Sequence, residues 1–327
     1  MKYSKIQKSI LKKNFTTVLK NFQGGNFHQV KGNKTYQSIN PATQEVISLI
    51  PETSKEEFNT LVANSKEAFK AWRNVPLLTR QRYVADMGHA LRQKSNEIAK
   101  IITMEHGKTF PDALGEVQRG LEVFDQASNI SHVYQGETLE NIASHTDNYS
   151  YRAPLGVVAG ICPFNFPFMI PCWMISLGIA TGNTYVLKPS EKVANSTDFI
   201  ANIAKEVGLP AGVLNVVHGG HDQVTNICTH PDIKAISFVG GNNAGEYIYE
   251  TGSKNGKRVQ SNMGAKNHAI VLEDADKEDA LNALVNASLG AAGQRCMATS
   301  VAIMVGKVSV NLLLLRQKIG FQKLLKK

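Results

Sequence analysis

The apolar positions of this 327-residue chain change period along its length, and that change divides it. From Ser54 to about Ile130 they recur at helical spacing, with Phe58, Leu61, Val62, Ser65, Phe69 and Trp72 on one face. Ser54 followed three residues later by Glu57 predicts a capping box at the start of that helix. Further helices are predicted around Arg80–Gln93, Ser95–Gly107 and Pro111–Ile130. From Gly156 onward, apolar runs of strand length (Gly156–Ile161, Thr184–Leu187, Leu214–His218, Ala235–Val239) alternate with amphipathic helices (Phe168–Thr181, Asn195–Val207, His221–Thr229, Asn243–Gly252). Alternation at this spacing implies an α/β fold: right-handed βαβ crossovers and a doubly wound parallel sheet covered on both faces. Ligands of such sheets bind beyond the carboxyl ends of the strands. A second unit is predicted near Val259, with strands at His268–Leu272 and Ser300–Val305 around a helix at Lys277–Ala291 that stops at Gly290-Ala-Ala-Gly293. The pattern then fails at Val308–Lys327, leaving an incomplete second α/β domain.

Ala153–Leu187 carries no charge over 35 residues, but Pro163, Pro167 and Pro171 break any helix that would cross a membrane there. With 43% hydrophobic and 19% charged residues the chain is globular, and its length suits two domains. The net charge of +9 lies at the ends: Met1–Lys34 holds eight lysines and no acid, and six basic residues with no acid follow Gly306. The remaining 22 basic residues face all 27 acidic ones, so the body is mildly acidic, which argues against nucleic acid as a partner. The acid-free start, with Ile6, Ile10 and Leu11 at helical spacing, has the character of a mitochondrial transit peptide; a solvated basic tail, and with it a cytosolic protein, is the alternative.

Four scattered cysteines, Cys162, Cys172, Cys228 and Cys296, form no disulfide framework and no CxxC pair. Cys296 lies in Gly293-Gln-Arg-Cys-Met-Ala298, where Arg295 favours a thiolate, although a lone cysteine is more often a small buried hydrophobe. Three loops at strand ends add context. Pro163-Phe-Asn-Phe-Pro167 presents the Asn165 amide on a stiffened backbone, suited to an oxyanion. Lys188-Pro-Ser-Glu191 offers an ammonium and a carboxylate to sugar hydroxyls, and Gly240-Gly-Asn-Asn-Ala-Gly245 opens a helix where a pyrophosphate fits. Each loop alone is equally a turn, a solvated loop or a helix cap.

In order and spacing, Asn165, the Lys188–Glu191 loop, the Gly240–Gly245 turn and Cys296 resemble the aldehyde dehydrogenase superfamily from about Phe22 to Gly306. Most members carry a glutamate before the nucleophile to activate water; here that place holds Asn262, which cannot take a proton. Val259-Gln-Ser-Asn-Met-Gly-Ala-Lys-Asn-His268 and Gly293-Gln-Arg-Cys-Met-Ala298 are similar to the CoA-acylating methylmalonate-semialdehyde dehydrogenase branch. The resemblance implies NAD as cofactor, CoA as co-substrate, a small semialdehyde as substrate, Cys296 and Asn165 as catalytic residues, and Arg119 and Arg295 as its carboxylate partners. It carries cofactor contacts to Cys162, Phe164, Lys188, Glu191, Lys192, Gly240, Gly241 and Gly245, and implies no metal. Two departures stand out: Gly241 replaces the family's serine, and Lys192 an arginine.

The implied domains are a basic segment at 1–21, an NAD-binding domain at 22–258 with part of an oligomerisation arm near 131–152, the start of a catalytic domain at 259–306, and a tail at 307–327 unlike the family. The family's Glu-x-Phe-Gly-Pro motif and its subunit-joining strand are missing from the sequence as written. The resemblance therefore implies a homo-oligomeric family and oxidative decarboxylation of methylmalonate or malonate semialdehyde with CoA to propionyl-CoA or acetyl-CoA. The chain as written is expected to be poorly soluble and essentially inactive; a truncated fragment that binds NAD or a full-length homologue is the alternative from another class. An ordinary hydrolytic aldehyde dehydrogenase is the alternative within enzymes.

Overall fold

The computed structural model describes residues 17–32 and 34–306; the basic leader and the tail after Gly306 lie outside the described residues. The chain divides into two compact units after Asn262.

The first unit opens with short strands in a stretch for which the apolar pattern predicts no element: β1 (Thr17–Val18), β2 (Asn21–Gln23), β3 (Asn26–His28), β4 (Thr35–Ile39) and β5 (Val46–Pro51). β1 pairs with β5, and Leu19 is buried against Ile50 and Ala194. Thr17–Asn21 is thus built into the fold, and the folded body starts before residue 22.

Four helices follow, α1 (Lys55–Trp72), α2 (Leu77–Gln93), α3 (Ser95–His106) and α4 (Phe110–Ala127), then a ribbon of β6 (Thr138–Ala143) and β7 (Thr146–Tyr149). The Ser54–Glu57 capping box is present in both directions. The wound half then runs β8 (Val157–Ile161), α5 (Met169–Ala180), β9 (Thr184–Lys188), α6 (Asn195–Glu206), β10 (Leu214–Val216), α7 (His221–Thr229), β11 (Ile233–Val239), α8 (Asn242–Lys254) and β12 (Arg258–Asn262).

The seven-stranded sheet has the order β12-β11-β8-β9-β10-β2-β3, parallel from β12 to β10 and antiparallel at β2 and β3. β12 pairs with β11 along Ala235–Val239, so the residues from Val259 to Asn262 extend this sheet and the second unit begins after them. Alternation within the strands supplies both faces. Val157, Ala159, Ile161 and Val186 meet Phe58, Leu61, Val62 and Ile248 on one side. Val158, Tyr185 and Leu187 meet Ile170, Ile175, Val117 and Leu121 on the other. α5 is apolar all round because it is buried on most sides, and Pro171 sits in its first turn, where a missing N–H costs nothing. Gly120 of α4 permits its approach: a Cβ there would stand 3.3 Å from both Met169 Cα and Cys172 Cβ. Among the described residues no helix is long and apolar enough to cross a membrane.

Glu105 joins α3 to α6. Its carboxylate accepts from Asn195 N (3.0 Å), Asn195 Nδ2 (2.8 Å) and Ser196 N (3.3 Å), at the start of α6. Burial nevertheless pushes its pKa up to about 7, and burial and Glu105 together do the same to Asp198. A carboxyl whose folded pKa is raised holds more protons folded than unfolded, so its contribution is complete below the unfolded pKa and is lost as pH rises through 7. Urea denaturation should show wild type losing on the order of 2 kcal/mol relative to Glu105→Gln between pH 5 and 8. A stability difference that does not change with pH would show that Glu105 ionises normally.

The second unit contains β13 (Asn267–Val271) paired in parallel with β14 (Thr299–Met304), and α9 (Lys277–Leu289) between them. Among its described residues the buried apolar ones are Val271, Leu281 and Ala298, while Ile270, Leu272 and Ile303 are exposed.

Candidate active site

The sheet order places the end of β8 between those of β9 and β11. The chain proceeds from β8 to β9 and β10 on one side and to β11 and β12 on the other, so the crevice of this doubly wound sheet opens between β8 and β11. Three of the loops singled out by sequence meet at this edge.

The loop after β8 begins at Cys162, whose N–H donates to Lys188 O at 3.0 Å, tying it to β9. Its thiol is buried and pushed well above the usual range. Phe164 is flanked by two side chains: Lys192 Nζ stands 5.3 Å from its ring centroid, and the His106 ring stacks on it at 6.2 Å. Burial, followed by Lys108, lowers the His106 pKa to about 4, so the stacked imidazole is neutral. Asn165, half-buried, is held through its own carbonyl, which accepts from Lys108 Nζ at 2.8 Å.

Lys188 at the end of β9 is 2% exposed, and its ammonium donates to Pro189 O (2.8 Å) and Gly219 O (2.7 Å), with Glu191 Oε2 at 3.6 Å. Burial lowers its pKa, against the pull of Glu191. Most of the ammonium is thus committed to shaping the loop, whereas the Glu191 side chain is 36% exposed. The Gly240–Gly245 turn leads into α8, whose N-terminus has no capping side-chain hydrogen bond and no acidic residue in its first turn. A Cβ at Gly241 would meet nothing within 4 Å, and Gly245 is buried. An uncapped, acid-free helix start beside a glycine with open space fits an approaching phosphate.

Arg119 lies exposed on α4, and its carbonyl accepts from Trp173 Nε1 at 3.3 Å. Trp173 lines a cavity of about 410 Å³ that also takes in Tyr185, Ser237, Gln260 and Asn262. Asn262 ends β12 and is exposed, its carbonyl accepting from Gly240 N at 3.1 Å.

In the second unit α9 ends at Leu289, two residues before the predicted stop. Ala291, Ala292 and Gly293 then adopt left-handed φ of 51°, 57° and 72°, unusual for the two alanines and a mark of a constrained turn. A Cβ at Gly290 would lie 2.8 Å from Arg295 Nη1, so glycine makes room for the guanidinium to fold over this turn. Cys296 is exposed, unlike the other three cysteines. Asn267 Nδ2 donates to Cys296 O (2.6 Å) and Ala298 O (3.0 Å), clamping the cysteine loop from β13.

Sequence reasoning missed Lys108, Glu116, His106 and Asn267. Glu116 alone left a signal: it is a charge on the apolar stripe Ala113, Val117, Gly120, Leu121 and Phe124 of α4. The others owe their placement to contacts across the fold.

The chain belongs to the aldehyde dehydrogenase family, whose model matches residues 27–314 and so reaches into the segment after Gly306 that the sequence reading set apart. It is 51% identical over 289 residues to the human methylmalonate-semialdehyde/malonate-semialdehyde dehydrogenase [acylating], mitochondrial, covering 88% of this chain and 54% of that protein. The mouse protein of the same description is also 51% identical, with the same coverage. Among solved structures, methylmalonate-semialdehyde dehydrogenase from Oceanimonas doudoroffii superposes with a TM-score of 0.90 at 41% identity, covering 94% of this chain and 63% of that one. A Sinorhizobium meliloti structure complexed with NAD gives 0.88 at 41% identity, with 92% and 62% covered. The chain spans about half the length of the curated relatives it matches.

Proposed function

We propose that the protein is an NAD-dependent, CoA-acylating dehydrogenase that takes methylmalonate or malonate semialdehyde to propionyl-CoA or acetyl-CoA and CO₂. The observation that carries this reading is the 51% identity to proteins described as acylating enzymes for these semialdehydes. The Cys296 thiolate attacks the aldehyde carbon, and the Asn165 amide donates to the oxyanion that forms. The guanidinium forks of Arg119 and Arg295 receive the substrate carboxylate. NAD, when bound, accepts the hydride, with contacts to Cys162, Phe164, Lys188, Glu191, Lys192, Gly240, Gly241 and Gly245. The thioester left on Cys296 loses its carboxylate as CO₂, a proton taking its place, and the thiol of CoA then displaces the Cys296 thiolate to give the acyl-CoA, because Asn262 offers no base for water. The mitochondrial names of the relatives and the acid-free basic start support a matrix location.

NADH absorbance tests this directly. In a chain extended to the length of its relatives, with methylmalonate semialdehyde and NAD, sustained NADH production is expected only when CoA is added, with a burst of at most one turnover in its absence. Sustained turnover without any thiol would favour the hydrolytic reading. NAD binding without NADH under any condition would favour a binding role over an enzyme.

A further inference from the structure

We propose that the buried Lys108–Glu116 ion pair is a positioning device for Asn165. The inference rests on the reading above, in which the Asn165 amide stabilises an oxyanion formed at Cys296. Lys108 follows the end of α3 and Glu116 lies on α4, with side chains 2% and 1% exposed and Nζ 2.6 Å from Oε2. Each group then grips the loop between β8 and α5. Lys108 Nζ donates to Asn165 O at 2.8 Å and stands 4.5 Å from the centroid of the Phe166 ring. Glu116 Oε1 accepts from Phe168 N at 2.9 Å and Met169 N at 3.2 Å, where α5 begins.

The three N–H groups of the ammonium therefore meet a carboxylate, a carbonyl and a ring face. The carboxylate satisfies two N–H groups that a helix start leaves orphaned, and its charge suits the positive end of α5. Loop residues 165 and 168–169 are fastened to one rigid pair at both ends of a Phe-Pro step. Rigidity there matters, because an oxyanion donor acts only when its N–H is already aimed at the developing charge. An apolar pair would fill the same space but leave the Asn165 carbonyl without its buried donor. Neither residue faces a substrate in this account: both act through Asn165.

The test compares two reactions of the Cys296 thiolate in the same protein. p-Nitrophenyl acetate is attacked at its carbonyl carbon; an oxyanion develops, the C–O bond to the leaving group breaks, and an acetyl thioester and nitrophenolate result. Iodoacetamide is displaced at a saturated carbon with loss of iodide and needs no oxyanion donor. Asn165→Ala should slow the nitrophenolate burst by roughly a hundredfold or more. The charge-balanced Lys108→Met/Glu116→Gln pair should slow it by at least about tenfold. Alkylation of Cys296 should be unchanged in both. Adding Asn165→Ala to the pair should slow the burst no further than Asn165→Ala alone, since the pair works through that residue. Glu116→Asp keeps both charges and shortens the grip by one methylene; it should give a smaller loss, again not additive with Asn165→Ala, and it decides the matter if the paired variant does not fold. A wild-type burst in both the folded paired variant and Glu116→Asp, or losses that multiply with Asn165→Ala, would overturn the positioning role while the oxyanion role stands. A wild-type burst in Asn165→Ala would instead remove the oxyanion role, and the positioning role with it.

Discussion

Iodoacetamide should modify Cys296 at least roughly a hundredfold faster than Cys162, Cys172 or Cys228, because only an accessible thiolate reacts at a useful rate. Cys296 is exposed, whereas the other three are buried. Burial pushes the Cys228 thiol up to about 11, against the partial pull of Lys257, and pushes Cys162 and Cys172 up as well. Cys172 is further opposed by the neighbouring Glu116 carboxylate. Brief labelling followed by peptide mass spectrometry gives the four rates separately. Comparable rates at all four sites would mean that Cys296 is not distinguished as a nucleophile. Labelling of the buried three only after unfolding would confirm that the wound sheet shields them.

Removing one charge from the Lys108–Glu116 pair should strongly destabilise the first unit. Lys108→Met leaves a carboxylate that is 1% exposed without its cation, which costs about 3–5 kcal/mol. Lys108→Met/Glu116→Gln keeps an acceptor for Phe168 N and Met169 N and removes both charges, so much of that cost should be recovered. Urea denaturation of wild type, the two single variants and the pair forms a double-mutant cycle, read as midpoints at constant m. Additive single effects, or a Lys108→Met variant within about 1 kcal/mol of wild type, would show the pair to be a screened contact of little weight. This cycle reads folding alone, so it stands apart from the acylation experiment even though both use the same residues.

Cys296 stands in the open on a clamped turn, with Asn267 holding its carbonyl and Gly290 admitting the Arg295 guanidinium. Asn165 lies instead on a loop whose backbone is fastened from beneath by groups withdrawn from water. A nucleophile needs access, and a donor to developing charge needs fixed aim.

The sequence by itself determined the helices from α1 to α4, the alternation from β8 to β11 and the loops that hold Asn165, Lys188, Glu191 and Gly241. Those features depend on periodicity, caps and breakers, which are local, and the Ser54–Glu57 box formed as its spacing predicts. The same local signals were too weak for the two- and three-residue strands β1, β2 and β3, which exist because β5 pairs with β1, β10 with β2, and β2 in turn with β3. They also left β12 looking like the start of a new unit, although pairing with β11 gives it to the sheet. Only the tertiary structure decided that Lys188 turns its ammonium into the loop rather than outward, since Gly219 lies 31 residues away along the chain. It likewise brought Lys108 to Asn165 across 57 residues and Glu116 to Phe168 across 52. Buried polar groups take whichever partners the packed fold supplies, because leaving them unpaired away from water costs more than any local preference can return.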